Sequence, residues 1–261
     1  MEKLTRILGV VERLEDGAVV LDKSVALARR FRARVELMIT DSTLMRPLAS
    51  LCTKQAYEEV TLSSVHRAGE PMRETILRHV FNARPDLVIK MAADAHLLRQ
   101  LANECPVPVL LVKPRKWATP ARFAAAIEAD DADALRLARG ILHTAGFLAL
   151  GCRGNLDILY SEREQHDARV RMERAVEVAQ LVREFHVGCE RIQMYDGAPE
   201  DTLPPLVAAR QYDVLVLGTD SDLTSRMIEA SDSDIVLVHG ASGAAQFSAR
   251  QQRLDEAEQV V

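Results

Sequence analysis

Short apolar runs recur along the chain, and between them the apolar positions fall three and four residues apart. "RILGVV" at Arg6, "RVELMIT" at Arg34, "VTLSSVH" at Val60, "DLVIKM" at Asp86 and "VPVLLVK" at Val107 have the length and branched composition of buried strands. The stretches between them read as helices: one near Gly17–Phe31, a short one around Pro47–Glu59, "EPMRETILRHVFNA" with Met72, Ile76, Val80 and Ala83 on one face, and "HLLRQLAN". From Arg122 the order begins again with "RFAAAIE". A longer middle helix follows, predicted over Glu162–Phe185, with an apolar stripe of Ala168, Met172, Ala175, Val176, Ala179 and Val182. Apolar strands alternating with helices predict parallel sheet covered on both faces.

The recurrence is ordered. Gly69 and Pro71 match Gly197 and Pro199, Asp86 matches Asp213, and "VPVLLVK" matches "SDIVLVH", all at nearly constant offset. Matches in one order with small gaps are what a tandem duplication leaves. The expected fold class is therefore α/β, in two tandem units, each a doubly wound five-stranded parallel sheet flanked by helices. The predicted division is residues 1–113, a linker at 114–121 rich in proline and charge, a second unit at 122–240, and a mobile tail at 241–261.

Composition narrows the function. With 33 basic and 38 acidic residues and 4% aromatics, the chain offers neither a basic surface nor a stacking platform, so no nucleic-acid partner is expected. Its apolar runs are strand-sized, and no membrane partner is expected. No signal peptide is read at the start. Cys52, Cys105, Cys152 and Cys189 are widely spaced without CxxC, which suits a cytoplasmic location. Cys152 has arginine beside it, which could lower its pKa, but an inert thiol is the expectation.

The element order, with G-x-P before the third helix of each unit, "D-[LV]-[VL]-[IV]" and a closing P-V-x-x-V-[KR], resembles the universal stress protein family. "PDLVIKMA" followed by "HLLRQLANECPVPVLLVK" resembles its tandem UspE type in particular. The resemblance spans Leu4 to His239. It implies a role in stress survival without fixed chemistry, ATP binding in some members, and two units packed as an intramolecular pseudo-dimer through their last strands. Those strands carry Val109, Leu110, Leu111, Val112 and Ile235, Val236, Leu237, Val238. A homodimer beyond this is left open.

ATP-binding members carry G-x-x-G, nine residues, then G-[ST], whose backbone amides cradle phosphate. Placed at Gly218, that frame continues through Ser221, Ser231 and Asp232; placed at Met91, it runs through Asp94, Glu104 and Cys105. One position of eight matches, and Asp220 and Asp222 would repel an anion. Loss of the loop in both units is expected. Asp220, Asp222, Asp232 and Asp234 are not expected to form a metal cage, because two follow a strand and two precede its parallel neighbour. No catalytic residue, no cofactor and no metal site is assigned, and the protein is read as not an enzyme. A small-molecule ligand, its identity unknown, would lie beyond the carboxyl ends of the strands. The candidate residues there are Val11, Glu12, Lys90, Met91, Glu128, Gly218 and Thr219. The alternative is an enzyme or binder acting on a nucleotide or another anion through a rearranged pocket.

Overall fold

The computed structural model describes residues 3–39, 41–54, 60–64, 71–92, 95–128, 132–162, 168–184, 188–219 and 222–239. The tail from 240 onward, together with Gly69, Asp220 and Ser221, lies outside them. Strands and helices alternate: β1 (Arg6–Val11), α1 (Leu14–Phe31), β2 (Arg34–Ile39), a 3-10 turn, α2 (Met45–Lys54), β3 (Val60–Ser64), α3 (Met72–Ala83), β4 (Leu87–Met91), α4 (Ala95–Glu104) and β5 (Val109–Val112). The chain continues with β6 (Arg122–Ile127), α5 (Ala132–Cys152), β7 (Asn155–Glu162), α6 (Ala168–Glu184), β8 (Arg191–Asp196), α7 (Pro199–Arg210), β9 (Val214–Gly218), α8 (Asp222–Ala230) and β10 (Asp234–Val238). Local chemistry sets these bounds. In α1, Glu15 and Asp16 sit in the first turn and Arg29 and Arg30 in the last, complementing the helix dipole, and Arg32 turns into the left-handed region to end it.

One expectation is overturned. The strands do not form two five-stranded sheets. They form a single mixed sheet of ten, in the order β3-β2-β1-β4-β5-β10-β9-β6-β7-β8. β5 and β10 pair antiparallel, Ile235 opposite Leu111, Val236 opposite Leu110 and Leu237 opposite Val109. Two separate sheets would each leave a row of unpaired amides and carbonyls on these apolar strands; pairing satisfies both rows.

The core is shared in the same way. One face of the sheet is covered by α1, α2, α5 and α6, and residues from Leu4 to Val238 form one continuous apolar cluster beneath them. The other is covered by α3, α4, α7 and α8 over a second cluster. Phe31 of α1 stacks on Phe147 of α5 with ring centroids 5.0 Å apart, and Arg30 donates to the Cys152 carbonyl at 3.0 Å. The architecture is therefore one α/β body rather than two docked units.

Two local expectations also change. Glu162 ends β7 instead of opening the middle helix. In α6 the buried residues are Val178, Leu181 and Val182, whereas Met172 and Val176 are 69% and 50% exposed. The segment between β5 and β6 lies largely at the surface, with Pro114, Lys116, Ala118, Thr119 and Pro120 exposed, and is anchored by hydrogen bonds. Trp117 Nε1 donates to Asp234 Oδ2 at 2.6 Å, and the amides of Ala118 and Arg122 donate to Asp213 at 3.1 and 2.9 Å.

Candidate functional site

The antiparallel join decides where any strand-end site can lie. Strands β1 to β5 run one way and β6 to β10 the other. The two crevices at carboxyl strand ends, between β1 and β4 and between β6 and β9, therefore open at opposite ends of the sheet. β5 and β10 stand between them, about 14 Å of sheet width at three strand spacings. The seven candidate residues fall into two groups: Val11, Glu12, Lys90 and Met91 at one crevice, Glu128, Gly218 and Thr219 at the other.

At the first crevice, Lys90 pairs with Glu12, Nζ to Oε2 at 2.6 Å, across the neighbouring strands β1 and β4. The lysine side chain is 4% exposed and the glutamate 25%. A buried ammonium is stable only with such a partner. Glu12 Oε1 is buried and accepts no hydrogen bond from the described residues. Beyond it Arg13 binds Asp16 through Nε at 2.9 Å and Glu15 at 2.8 Å. Among the described residues, the ionic groups here are thus two cations already paired with three carboxylates. Val11 is fully buried in the core, and Met91 packs at its margin.

At the second crevice, Gly218 ends β9 and has a packing role. A Cβ placed there would stand 2.4 Å from Leu137 Cδ2 of α5, so the leucine occupies the space a side chain would take. Thr224 Oγ1 donates to the Gly218 carbonyl at 2.6 Å, turning the chain into α8. Thr219 is buried, and its amide donates to the Val238 carbonyl at 3.1 Å. Glu128 follows β6 at intermediate exposure. Three residues separate β4 from α4, and three separate β9 from α8. Ser231 and Asp232 come after α8, at the amino end of β10, a strand's length from Gly218.

Of the four aspartates, Asp220 lies outside the described residues, and Asp232 and Asp234 stand at the amino end of β10, a strand's length from the start of α8. Asp234 has its oxygens taken by Lys23, Trp117 and the Lys113 amide. Among the described residues no group of three or more His, Cys, Asp or Glu is arranged to hold a metal ion. No described helix is long and apolar enough to cross a membrane.

Two further concavities lie at amino strand ends, away from the candidate residues. One, of about 580 Å³, is bordered by Lys113, Arg115, Gln211, Ser231 and Asp232. The other, of about 630 Å³, opens beside the starts of β1 and β2 and is lined by Thr5, Arg6, Arg34, Glu36, Thr61 and Pro85 among others. On its floor Glu36 Oε1 lies 3.0 Å from His79 Nε2.

Comparison with known proteins places this geometry. No family model matches the chain. A stretch of 193 residues, 64% of the chain, is 22% identical to the universal stress protein E homolog of Haemophilus influenzae, and the match spans 62% of that protein's length. A Pseudomonas aeruginosa UCBPP-PA14 protein assigned to the universal stress proteins superposes with a TM-score of 0.78 at 16% identity, over 94% of this chain and 97% of its own. A functionally unknown protein from Pseudomonas aeruginosa PAO1 superposes with a TM-score of 0.75, also at 16% identity, over 97% and 98%. The family resemblance carried by the sequence motifs is borne out: the chain has the universal stress protein fold and is similar in sequence to a curated member of that family.

Proposed function

We propose that the protein is a non-catalytic stress-response protein that acts by binding a ligand or a protein partner, with the ATP phosphate loop lost at both crevices. The observation that carries this is the three-residue connector between strand and helix at each crevice. A loop with nine residues between its glycine pairs has no room there, and Leu137 already fills the space beside Gly218. The ionic groups support the same reading. Lys90, the one cation among the candidates, is neutralised by Glu12, and a phosphate would meet Glu12, Glu15 and Asp16 besides. The unpartnered Glu12 oxygen favours a ligand that brings an N–H or O–H donor.

Native mass spectrometry of the purified protein, with an ATP titration, tests the proposal. The expected result is no stoichiometric ATP complex at physiological concentration. Tight one-to-one ATP binding would overturn it and favour the reading as a nucleotide binder with a rearranged pocket.

A further inference from the structure

The strand order reads alike from either edge of the sheet, 3-2-1-4-5 and 8-7-6-9-10, so positions in the two halves can be matched by register. Arg6 matches Arg122. Each opens a central strand, and its carbonyl accepts from the amide of Asp86 or Asp213 at 2.8 Å. Its own amide donates back to that carboxylate, at 3.0 and 2.9 Å. On the adjacent strand Arg6 pairs with Arg34 and Arg122 with Asn155, so two residues on Glu36 matches Asp157. The helices before the aspartates both end on a left-handed residue, Arg84 (φ 47°, ψ 58°) and Gln211 (φ 54°, ψ 54°). Pro85 therefore matches Tyr212, and Ala83 matches Arg210.

In the second half this place is filled from within. Tyr212 is 1% exposed, its hydroxyl donates to Asp157 Oδ2 at 2.8 Å, and the Arg122 guanidinium lies 5.3 Å from its ring centroid. In the first half a proline and an alanine stand where the tyrosine and Arg210 would be. The space left is the cavity of about 630 Å³, lined by Arg6, Glu36, Ala83 and Pro85. The carboxylate and the guanidinium that hold the phenol of Tyr212 are both conserved in kind here, as Glu36 and Arg6, but the phenol is missing.

We propose that this cavity binds a small phenolic molecule seated as Tyr212 is seated, its hydroxyl donating to Glu36 and its ring beneath the Arg6 guanidinium. The chemistry selects that class. Glu36 disfavours a carboxylate ligand, and Arg6 with Arg34 disfavours a cation. A neutral ring with one acidic hydroxyl satisfies the carboxylate by a charge-assisted hydrogen bond and the guanidinium by its π face. His79 holds one Glu36 oxygen, leaving the other to accept. The volume is that of small-molecule sites, roughly 300–1,000 Å³, and leaves room for ring substituents. The site is at amino strand ends and independent of the crevices discussed above, so either reading can fail without the other.

The test uses the full chain and fluorine NMR with 4-fluorophenol, and 4-fluorotoluene as the probe lacking the hydroxyl. Saturable one-to-one binding of the phenol is expected, at least about tenfold tighter than the toluene. Pro85→Tyr supplies the missing phenol from the chain and should abolish binding with the circular dichroism spectrum unchanged; Glu36→Gln should weaken it several-fold. Should Pro85→Tyr fail to fold, Glu36→Ala, which removes the acceptor for the hydroxyl, should abolish the preference for the phenol over the toluene. Equal binding of the two probes to wild type, phenol binding that survives in Pro85→Tyr, a preference that survives in Glu36→Ala, or no saturation up to about 10 mM phenol would each overturn the proposal.

Discussion

Lys23 and Asp234 stand 211 residues apart in sequence and 2.5 Å apart in the structure. The lysine comes from the middle of α1 and the aspartate from the start of β10, so the pair ties the first helix to the last strand. The same carboxylate accepts from Trp117 at 2.6 Å and from the Lys113 amide at 2.8 Å, and Lys23 Nζ lies 4.7 Å from the Trp117 ring centroid. Lys113 in turn donates to the carbonyls of Ile228 and Ser231. A buried carboxylate with three donors around it rigidifies the join between the halves.

Asp234→Ala strips the partner from an ammonium whose side chain is 11% exposed. Breaking a buried pair by removing one member typically costs about 3–5 kcal/mol. The variant should lose that much in urea denaturation. Trp117, the chain's single tryptophan, should shift its emission in the native baseline. Adding Lys23→Met should restore part of the loss, because the stranded charge goes too. A loss under about 1 kcal/mol for Asp234→Ala would mean that the pair is solvated and contributes little.

Asp86 gives a pH signature. Burial opposes its ionisation, but donation from the Thr5 amide at 2.6 Å, the Thr5 hydroxyl at 2.7 Å and the Arg6 amide outweighs that and holds the carboxyl below its ordinary 3.8. A depressed folded pKa means that the unfolded chain binds the proton first. The stabilisation is thus fully present above 3.8 and is lost as pH falls through the lower folded value. Wild type should be more stable than Asp86→Ala at neutral pH, and the gap should narrow as acid is added below 3.8. A gap that stays constant down to the acid transition would contradict this.

The element pattern was legible because buried strands need short apolar runs and the helices between them need a repeat near 3.6. The join was not. Val109–Val112 and Asp234–Val238 read as apolar last strands, but apolarity does not say whether two such strands stack or hydrogen-bond edge to edge. Glu12 and Lys90 were both singled out from sequence, yet their pairing follows only once β1 and β4 are neighbours. Glu12 and Lys90 belong to one strand-end crevice and Gly218 and Thr219 to the other, and only the antiparallel join shows that the two open at opposite ends of the sheet. The cavity beside Arg6 was invisible: Pro85 and Tyr212 look unrelated until strand register aligns them.

Gly218 tests the packing reading of the second crevice. Gly218→Ala forces Leu137 aside, and overpacking of this kind costs about 1–3 kcal/mol. The leucine tip can rotate, so the lower end is expected. Leu137→Ala should relieve the clash, making the double variant more stable than the sum of the singles predicts. Purely additive losses would show that the leucine does not occupy this space.

The thiols divide by burial. Cys105 and Cys152 are 0% and 3% exposed, and desolvation pushes them up to about 12 and about 11. Arg30 pulls Cys152 the other way but loses to burial. Cys52 and Cys189 are half-buried and raised less far. At pH 8 a thiol reagent should label Cys52 and Cys189 in the native protein and reach the other two only on unfolding, as mapped by peptide mass spectrometry. Early labelling of Cys152 would mean that its arginine neighbour governs it after all.

Helix α6 separates apolar sequence from apolar burial. The stripe read from sequence included Met172 and Val176, but these face outward, and the helix is held by Val178, Leu181 and Val182, spaced three, four and one apart. Leu181→Ala should cost about 2–4 kcal/mol, as core truncations do. Met172→Ala should stay within about 0.5 kcal/mol, because it opens no cavity. Thermal melts of the two variants, measured at two protein concentrations, decide this. A destabilisation by Met172→Ala that grows with concentration would instead show that Met172 is covered by a second copy of the chain.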